Sequence, residues 1–282
     1  MIGSSKEEAV NPWIRAASWL LFAAIMYLIL GEAVRPWFRL PILGNVGFTL
    51  VFVLFALTHC TALEGLRRTS LFFAISASVS YMMEEIGVRS GFIFGAYHYG
   101  NQLGAKLGHV PMIIPLAWFM MIYPSWMVAK ALVTGVNPHA LVGLTARAVV
   151  AAWVMTGWDV VMDPGMAAAG NWIWENGGAY FGVPGRNYLG WLLTTFLVYW
   201  MVGWLWRGTG HRTTATKTFQ ALPVVVYSFF AVRYLTANRF PALQVVALFS
   251  MGMPSLVALI QVCMNQNSSA AEYRSVTPKS LS

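Results

Sequence analysis

Two short segments hold four of the ten acidic residues in this chain: Glu84-Glu85, and Trp158-Asp159-Val160-Val161-Met162-Asp163-Pro164. Asp159 and Asp163 are its only aspartates. Both segments sit at the ends of long apolar stretches, where a carboxylate is costly and rarely idle. Each is followed by a stretch rich in Tyr, Trp, Gly and Asn. Two close carboxyls in a poorly solvated place cannot both ionise easily, and a carboxyl that keeps its hydrogen is a general acid. The combination points to proton chemistry on an apolar substrate.

Helical spacing orients these groups. Ser76, Ser80 and Glu84 share one stripe at i, i+4 and i+8, and Ala77, Tyr81 and Glu85 form the neighbouring one. Small and polar residues mark a face turned to other helices rather than to lipid. Both carboxyls are therefore expected to face inward; the competing structural reading is a pair held by Arg89. Residues 91–100 are aromatic and glycine-rich, and Tyr97 and Tyr99 flank His98 with strand-like alternation. That segment suits a re-entrant or interfacial position, or an aromatic belt. Asp159 and Asp163 are also four apart, with Pro164 expected to end their helix. Asp163 could serve as a cap; Asp159, a full turn deeper, is harder to explain that way. The loop from Asn171 to Tyr188 carries Trp172, Trp174, Tyr180 and Asn187 before Trp191 opens the next apolar segment. It reads as a lid whose π-faces would stabilise a cation.

The elements that must position these residues are membrane helices. The chain is 58% hydrophobic and 10% charged, with mean hydropathy +0.61, against about 25% charged in soluble domains. Eight apolar segments, near 13–30, 46–63, 70–88, 110–129, 141–161, 188–206, 219–235 and 242–264, approach the roughly 20 residues needed to cross a bilayer. Barrel-like alternation is absent, so the fold expected is all-α, a polytopic transmembrane bundle of eight spans, with seven possible because Glu84 and Glu85 interrupt the third. One domain is expected over 1–264, followed by a polar, disordered tail over 265–282. The first segment reads as an uncleaved span.

With eight spans, ten Lys and Arg residues lie on the side of both termini and seven on the other, with Arg147 inside the fifth span. That bias favours cytoplasmic termini. The loops after the third and fifth spans lie on one face whichever way the bundle points, so the two acid segments can build one site. The net charge of +8 is scattered through short connections, the pattern of membrane topology rather than of nucleic-acid binding. Cys60 and Cys263 lie far apart, with no metal or disulfide spacing. The histidines are too dispersed for a membrane di-iron site, no lysine lies mid-span as a retinal site requires, two aspartates are too few for a magnesium-dependent prenyl transferase, and no nucleotide fingerprint is present. No metal or cofactor is expected.

Glu84-Glu85-Ile86-Gly87, Phe94-Gly95-Ala96-Tyr97-His98-Tyr99, Val110-Pro111 with Ile114-Pro115-Leu116-Ala117-Trp118, Trp158-Asp159 with Asp163-Pro164, Trp172-Ile173-Trp174, Gly178-Ala179-Tyr180-Phe181-Gly182-Val183-Pro184 and Asn187-Tyr188-Leu189-Gly190-Trp191 resemble the integral-membrane carotenoid biosynthesis family. The resemblance covers roughly residues 46–206. Characterised members of that family hydrate the terminal double bond of acyclic carotenoid ends. Gly100 departs from the Tyr-x-Tyr-Thr that the family commonly shows, which removes any role for a hydroxyl there.

The resemblance implies a cofactor-independent carotenoid hydratase, partnered by a carotenoid and by membrane lipid and not by nucleic acid. Glu84, Glu85, Asp159 and Asp163 are the expected catalytic groups. Tyr81, Tyr97, His98, Tyr99, Trp118, Trp172, Trp174, Tyr180, Asn187 and Trp191 are the expected substrate contacts. A carotenoid cyclase or double-bond isomerase would use the same protonation without capturing water. A non-catalytic carotenoid- or lipid-binding protein would keep its pigment unchanged and tolerate loss of the carboxyls. The sequence does not set the oligomeric state.

Overall fold

The computed structural model describes residues 11–34, 38, 41, 43–137, 140–207, 215–237 and 240–276, without the side chains of 33 and 265–276. Seven helices cross as single rods: α1 (Pro12–Val34), α2 (Asn45–Glu64), α3 (Leu66–Ser90), α4 (Ile113–Leu132), α5 (Leu141–Ala168), α6 (Gly185–Leu205) and α7 (Lys217–Thr236). The eighth crossing is made of α8 (Ala242–Ala247), a π-helical turn (Leu248–Gly252) and α9 (Met253–Val276). All eight crossings are long and apolar enough to span a bilayer. The protein is a polytopic transmembrane helical bundle, as its composition implies. The Glu84–Glu85 interruption does not break α3.

The core helix is α4. Every residue from Trp118 to Ala129 is buried, and the helix packs on α2, α3, α5, α7 and α9. A helix apolar on all sides belongs inside a bundle. The outer helices keep large apolar side chains on the outside, among them Leu54, Met82, Trp153, Leu189 and Leu256, where lipid tails are as good a solvent as another helix. In α3 only a narrow stripe is buried: Thr69, Phe72, Ser76, Ser80, Glu84 and Gly87. Its spacing of three or four residues is that of one helical face.

Four short strands lie between the crossings on one face. β1 (Tyr97–Tyr99) pairs antiparallel with β4 (Trp172–Trp174), aligning Tyr97 with Trp174 and Tyr99 with Trp172. β2 (Lys106–Leu107) pairs with β3 (Val110–Pro111). Val110 was expected inside the fourth span; Pro111 biases it to extended backbone, and the helix begins at Ile113. Gly91, at φ +64°, ends α3 with its N–H bonded to Gly87 O at 2.8 Å. The left-handed turn that glycine allows reverses the chain towards β1.

Two expectations about α5 are corrected. Pro164 does not end it; the helix runs on to Ala168. Proline removes one hydrogen bond but already has helical φ, and the end is closed further on by Asn171 N–H and Nδ2 bonding Met166 O at 3.1 Å each. Asp159 is therefore deeper than one turn from the helix end. At the chain's end, α9 is helical to Val276, while 277–282 lie outside the described residues. So do Lys6, Arg35, Arg39, His139, Arg212, Arg239 and Lys279.

Candidate active site

The ends of α3, α5 and α7 and the starts of α2, α4 and α6 meet at one face, because alternate connections of an antiparallel bundle share a side. Between them lies a cavity of about 370 Å³, within the range of small-molecule pockets. Its walls come from α2 through α7 and from β1 and β4.

Glu84 points into this cavity from α3 and is buried. Its Oε2 accepts from the hydroxyls of Tyr97 and of Tyr99, the latter at 2.7 Å. Its Oε1 accepts from Trp118 Nε1 at 3.0 Å. Three neutral donors thus converge on one carboxyl. Burial, reinforced by the Glu84 carboxyl, pushes Tyr97 and Tyr99 well above the ordinary tyrosine range, so both keep their hydroxyl hydrogens.

The second acid pair comes from α5. Asn187, in the first turn of α6, donates its Nδ2 to Asp159 Oδ2 at 3.1 Å and to Asp163 Oδ2 at 2.7 Å. Trp172 Nε1 donates to Asp163 Oδ1. Asp163 and Asn187 line the cavity with Glu84. Asp159, fully buried, stands one step behind the wall and reaches it through Asn187. An acidic side chain costs roughly 2.5–3.5 kcal/mol near the bilayer centre, and no described cation forms an ion pair with any of these three carboxyls. Around these three carboxyls the arrangement puts proton donors and acceptors rather than fixed charge pairs.

The β1–β4 ribbon explains the aromatic wall. Side chains alternate across a strand, so Tyr97, Tyr99, Trp172 and Trp174 face the cavity while His98 and Ile173 face out. Tyr97 lies against Trp174 with ring centroids 4.9 Å apart. Deeper in, Trp118 and Trp191 stack at 3.9 Å and 12°, and Trp158 meets Trp191 at 6.1 Å. Phe94 wedges between α3 and α6: a Cβ at Gly87 would approach its ring to 2.6 Å, and one at Gly190 to 2.5 Å. Two glycines therefore dock the residue that leads the chain into β1.

Not every expected site residue reaches the cavity. Glu85 is corrected: it bonds Arg89 at 2.8 Å and accepts from both His109 N–H and Nδ1 at 2.9 Å, tying α3 to the β2–β3 turn. Adjacent helical residues point about 100° apart, so only one of the two glutamates can face the cavity. Tyr81, on the same outer stripe, donates to Leu107 O at 3.3 Å. His98 lies 3.7 Å from Glu175 outside the ribbon. Tyr180 packs on Tyr188 without lining the cavity. Trp118, Trp172, Trp174, Trp191, Tyr97, Tyr99 and Asn187 do line it. So do residues that the sequence reading passed over: Asn45, Phe48 and Thr49 of α2, and Phe230, Arg233 and Tyr234 of α7. Arg233 pairs with Glu32 of α1. The parity of the connections, which places the ends of the first and seventh spans beside the acid segments, was the signal available for that pair. Among the described residues, no three His, Cys, Asp or Glu side chains are grouped as metal ligands.

Residues 44–260 match the family described as carotenoid biosynthesis protein. The bisanhydrobacterioruberin hydratase of Haloarcula japonica is 34% identical over 129 residues, a stretch that covers 45% of this chain and 42% of the relative. The match thus spans less than half of that relative's length. No solved structure matches the chain.

Proposed function

This chain belongs to the carotenoid biosynthesis protein family, and from that premise we propose that it hydrates the terminal C=C of an acyclic carotenoid end group. The observation that carries this reading is the pairing, across one apolar cavity, of a triply donated carboxyl, Glu84, with the Asp163–Asn187–Asp159 cluster. The hydratase name of the archaeal relative supports water as the second substrate.

Glu84 transfers a proton to the less substituted alkene carbon and leaves a tertiary carbocation. Tyr97, Tyr99 and Trp118 stabilise the carboxylate left behind, as donors aimed at developing charge do. The indole faces of Trp172, Trp174 and Trp191 stabilise the cation. Water, oriented by Asp163 and Asn187, attacks the cation, and the proton it releases passes to the aspartate pair and back to Glu84. One water is consumed and no redox change occurs. The polyene, about as long as the hydrocarbon core is thick, lies among the helices with its end at the site.

Expression in a lycopene-producing host is the test, with pigments resolved by mass. The expected product is heavier than its precursor by one water. Glu84→Gln is expected to leave the protein in the membrane and to lower turnover by roughly 10²-fold or more. A product of unchanged mass would identify a cyclase or an isomerase. Unchanged pigment with wild-type protein present would point to a binding role, and full activity in Glu84→Gln would remove Glu84 as the donor.

A further inference from the structure

Three buried oxygens beside the acid cluster have no hydrogen-bond partner among the described residues: Asp159 Oδ1, Tyr188 Oη and Tyr180 Oη. None of these three residues lines the cavity; they stand behind its wall. Tyr188 follows Asn187 on α6, and its hydroxyl feels both Asp159 and Asp163. The Tyr180 and Tyr188 rings meet edge to face at 5.4 Å, and the Tyr180 hydroxyl also feels Asp159. Tyr180 is fixed by reciprocal backbone bonds with Val183 of 3.3 and 2.9 Å. Its neighbours Ala179, Phe181 and Gly182 are exposed. The unpartnered oxygens thus belong to the fully buried Asp159, to the neighbour of Asn187 on α6, and to a residue of a surface loop.

Buried polar oxygens without protein partners are costly, and ordered water meets such groups where the surroundings are polar and leave room for it. Resting on the hydratase reading, we infer that Tyr180, Tyr188 and Asp159 line a water conduit from the aqueous face to the acid cluster, separate from the cavity that the polyene occupies. The chemistry calls for such a second entrance. Each turnover consumes one water, yet a long apolar substrate fills the cavity and seals it. Water handed from Tyr180 to Tyr188 to Asp159 arrives behind Asp163, its oxygen forms the new C–O bond, and its proton leaves to the aspartates and returns to Glu84. Tyr180 and Tyr188 are positioning residues in this scheme, since they touch the water and not the carotenoid.

Tyr188→Phe and Tyr180→Phe remove the hydroxyls and keep the rings. Purified membranes carrying each variant are incubated with the acyclic carotenoid in D2O, and two products are counted: hydrated carotenoid, and unhydrated carotenoid that has gained deuterium. A cation formed but not captured loses a proton and returns as deuterated alkene or its double-bond isomer. The expected result is a fall in hydration of tenfold or more, with the ratio of deuterated alkene to alcohol rising by a similar factor. A general structural defect would lower both products together, and an unchanged ratio in both variants overturns the conduit. If Tyr188→Phe fails to accumulate, Tyr180→Phe, in a surface loop, decides alone. Wild-type protein that deuterates without hydrating would overturn the hydratase reading itself, and the conduit with it.

Discussion

Trp118 decides which oxygen of Glu84 can carry the acidic hydrogen. An indole nitrogen can only donate, so its 3.0 Å bond fixes Oε1 as an acceptor. A hydroxyl can accept as well as donate, so in the proposed acid form the proton belongs on Oε2, which then donates to one of the two tyrosine hydroxyls that donate to it when it is a carboxylate. Trp118→Phe would keep a ring against Trp191 while removing that constraint. A hydrogen bond to a charged group contributes about 1.5–3 kcal/mol, so turnover is expected to fall roughly 10- to 100-fold, with carotenoid binding nearly unchanged. Comparable loss of pigment binding would mean that Trp118 acts through packing instead. At this scale the sequence was informative where residue type was rare. Carboxyls in apolar surroundings stand out, so Glu84, Asp159 and Asp163 were legible. Glu85 was misjudged because adjacency in sequence cannot tell which of two neighbours faces in; His109, 24 residues away, supplies the partner that turns it outward. Arg233 and Tyr234 were missed because a residue at a span end looks the same whether it caps the helix or lines a cavity.

The connections between helices shape the site more than the helices do. Phe94 reaches its place only because Gly87 and Gly190 lack side chains. Gly190→Ala is expected to push Phe94 outward and drag β1 with it, lowering stability by about 1–3 kcal/mol as overpacking does. Activity should fall further than the thermal midpoint implies. Adding Phe94→Leu to Gly190→Ala should recover much of both losses; a double variant no better than the single one would show that the glycine serves α6 alone. A second close approach lies nearby: a Cβ at Gly157 would come within 2.6 Å of Ser250 O in the π-helical turn. The widened turn seats the eighth crossing against α5 just before Trp158 and Asp159. The eight crossings were readable because apolar length is a strong signal. The β1–β4 ribbon was readable only in half, as alternation at Tyr97–Tyr99, since its partner is more than 70 residues away and short strands carry little pattern of their own. Pro164 misled because a proline tolerated inside a helix and one that stops it look alike in sequence.

At the scale of the molecule, parity does the assembling. The ends of α1, α3, α5 and α7 share one face, which is why Glu84, Asp163 and Arg233 line one cavity and Arg233 pairs with Glu32, two hundred residues away in the chain. The connection count alone implied this for the two acid segments. A labelling experiment checks it. With Cys263 replaced by Ser, and Cys60 buried, single cysteines at His98 and Ile173 should react with a membrane-impermeant thiol reagent from the same side. One at Leu66, beside the single-residue Gly65 turn between α2 and α3, should react only from the opposite side. Labelling of His98→Cys and Leu66→Cys from one side would break the bundle order.

The cavity sits at one end of the bundle. A symmetric polyene long enough to span the hydrocarbon can present only one terminus to it, while the other rests near the far leaflet. Finishing the molecule then requires departure, reversal and a second encounter. On the hydratase reading, turnover of such a substrate is expected to be distributive: a half-converted, unsymmetrical pigment should build up before the fully converted one, in a ratio set by how the two compete for the site.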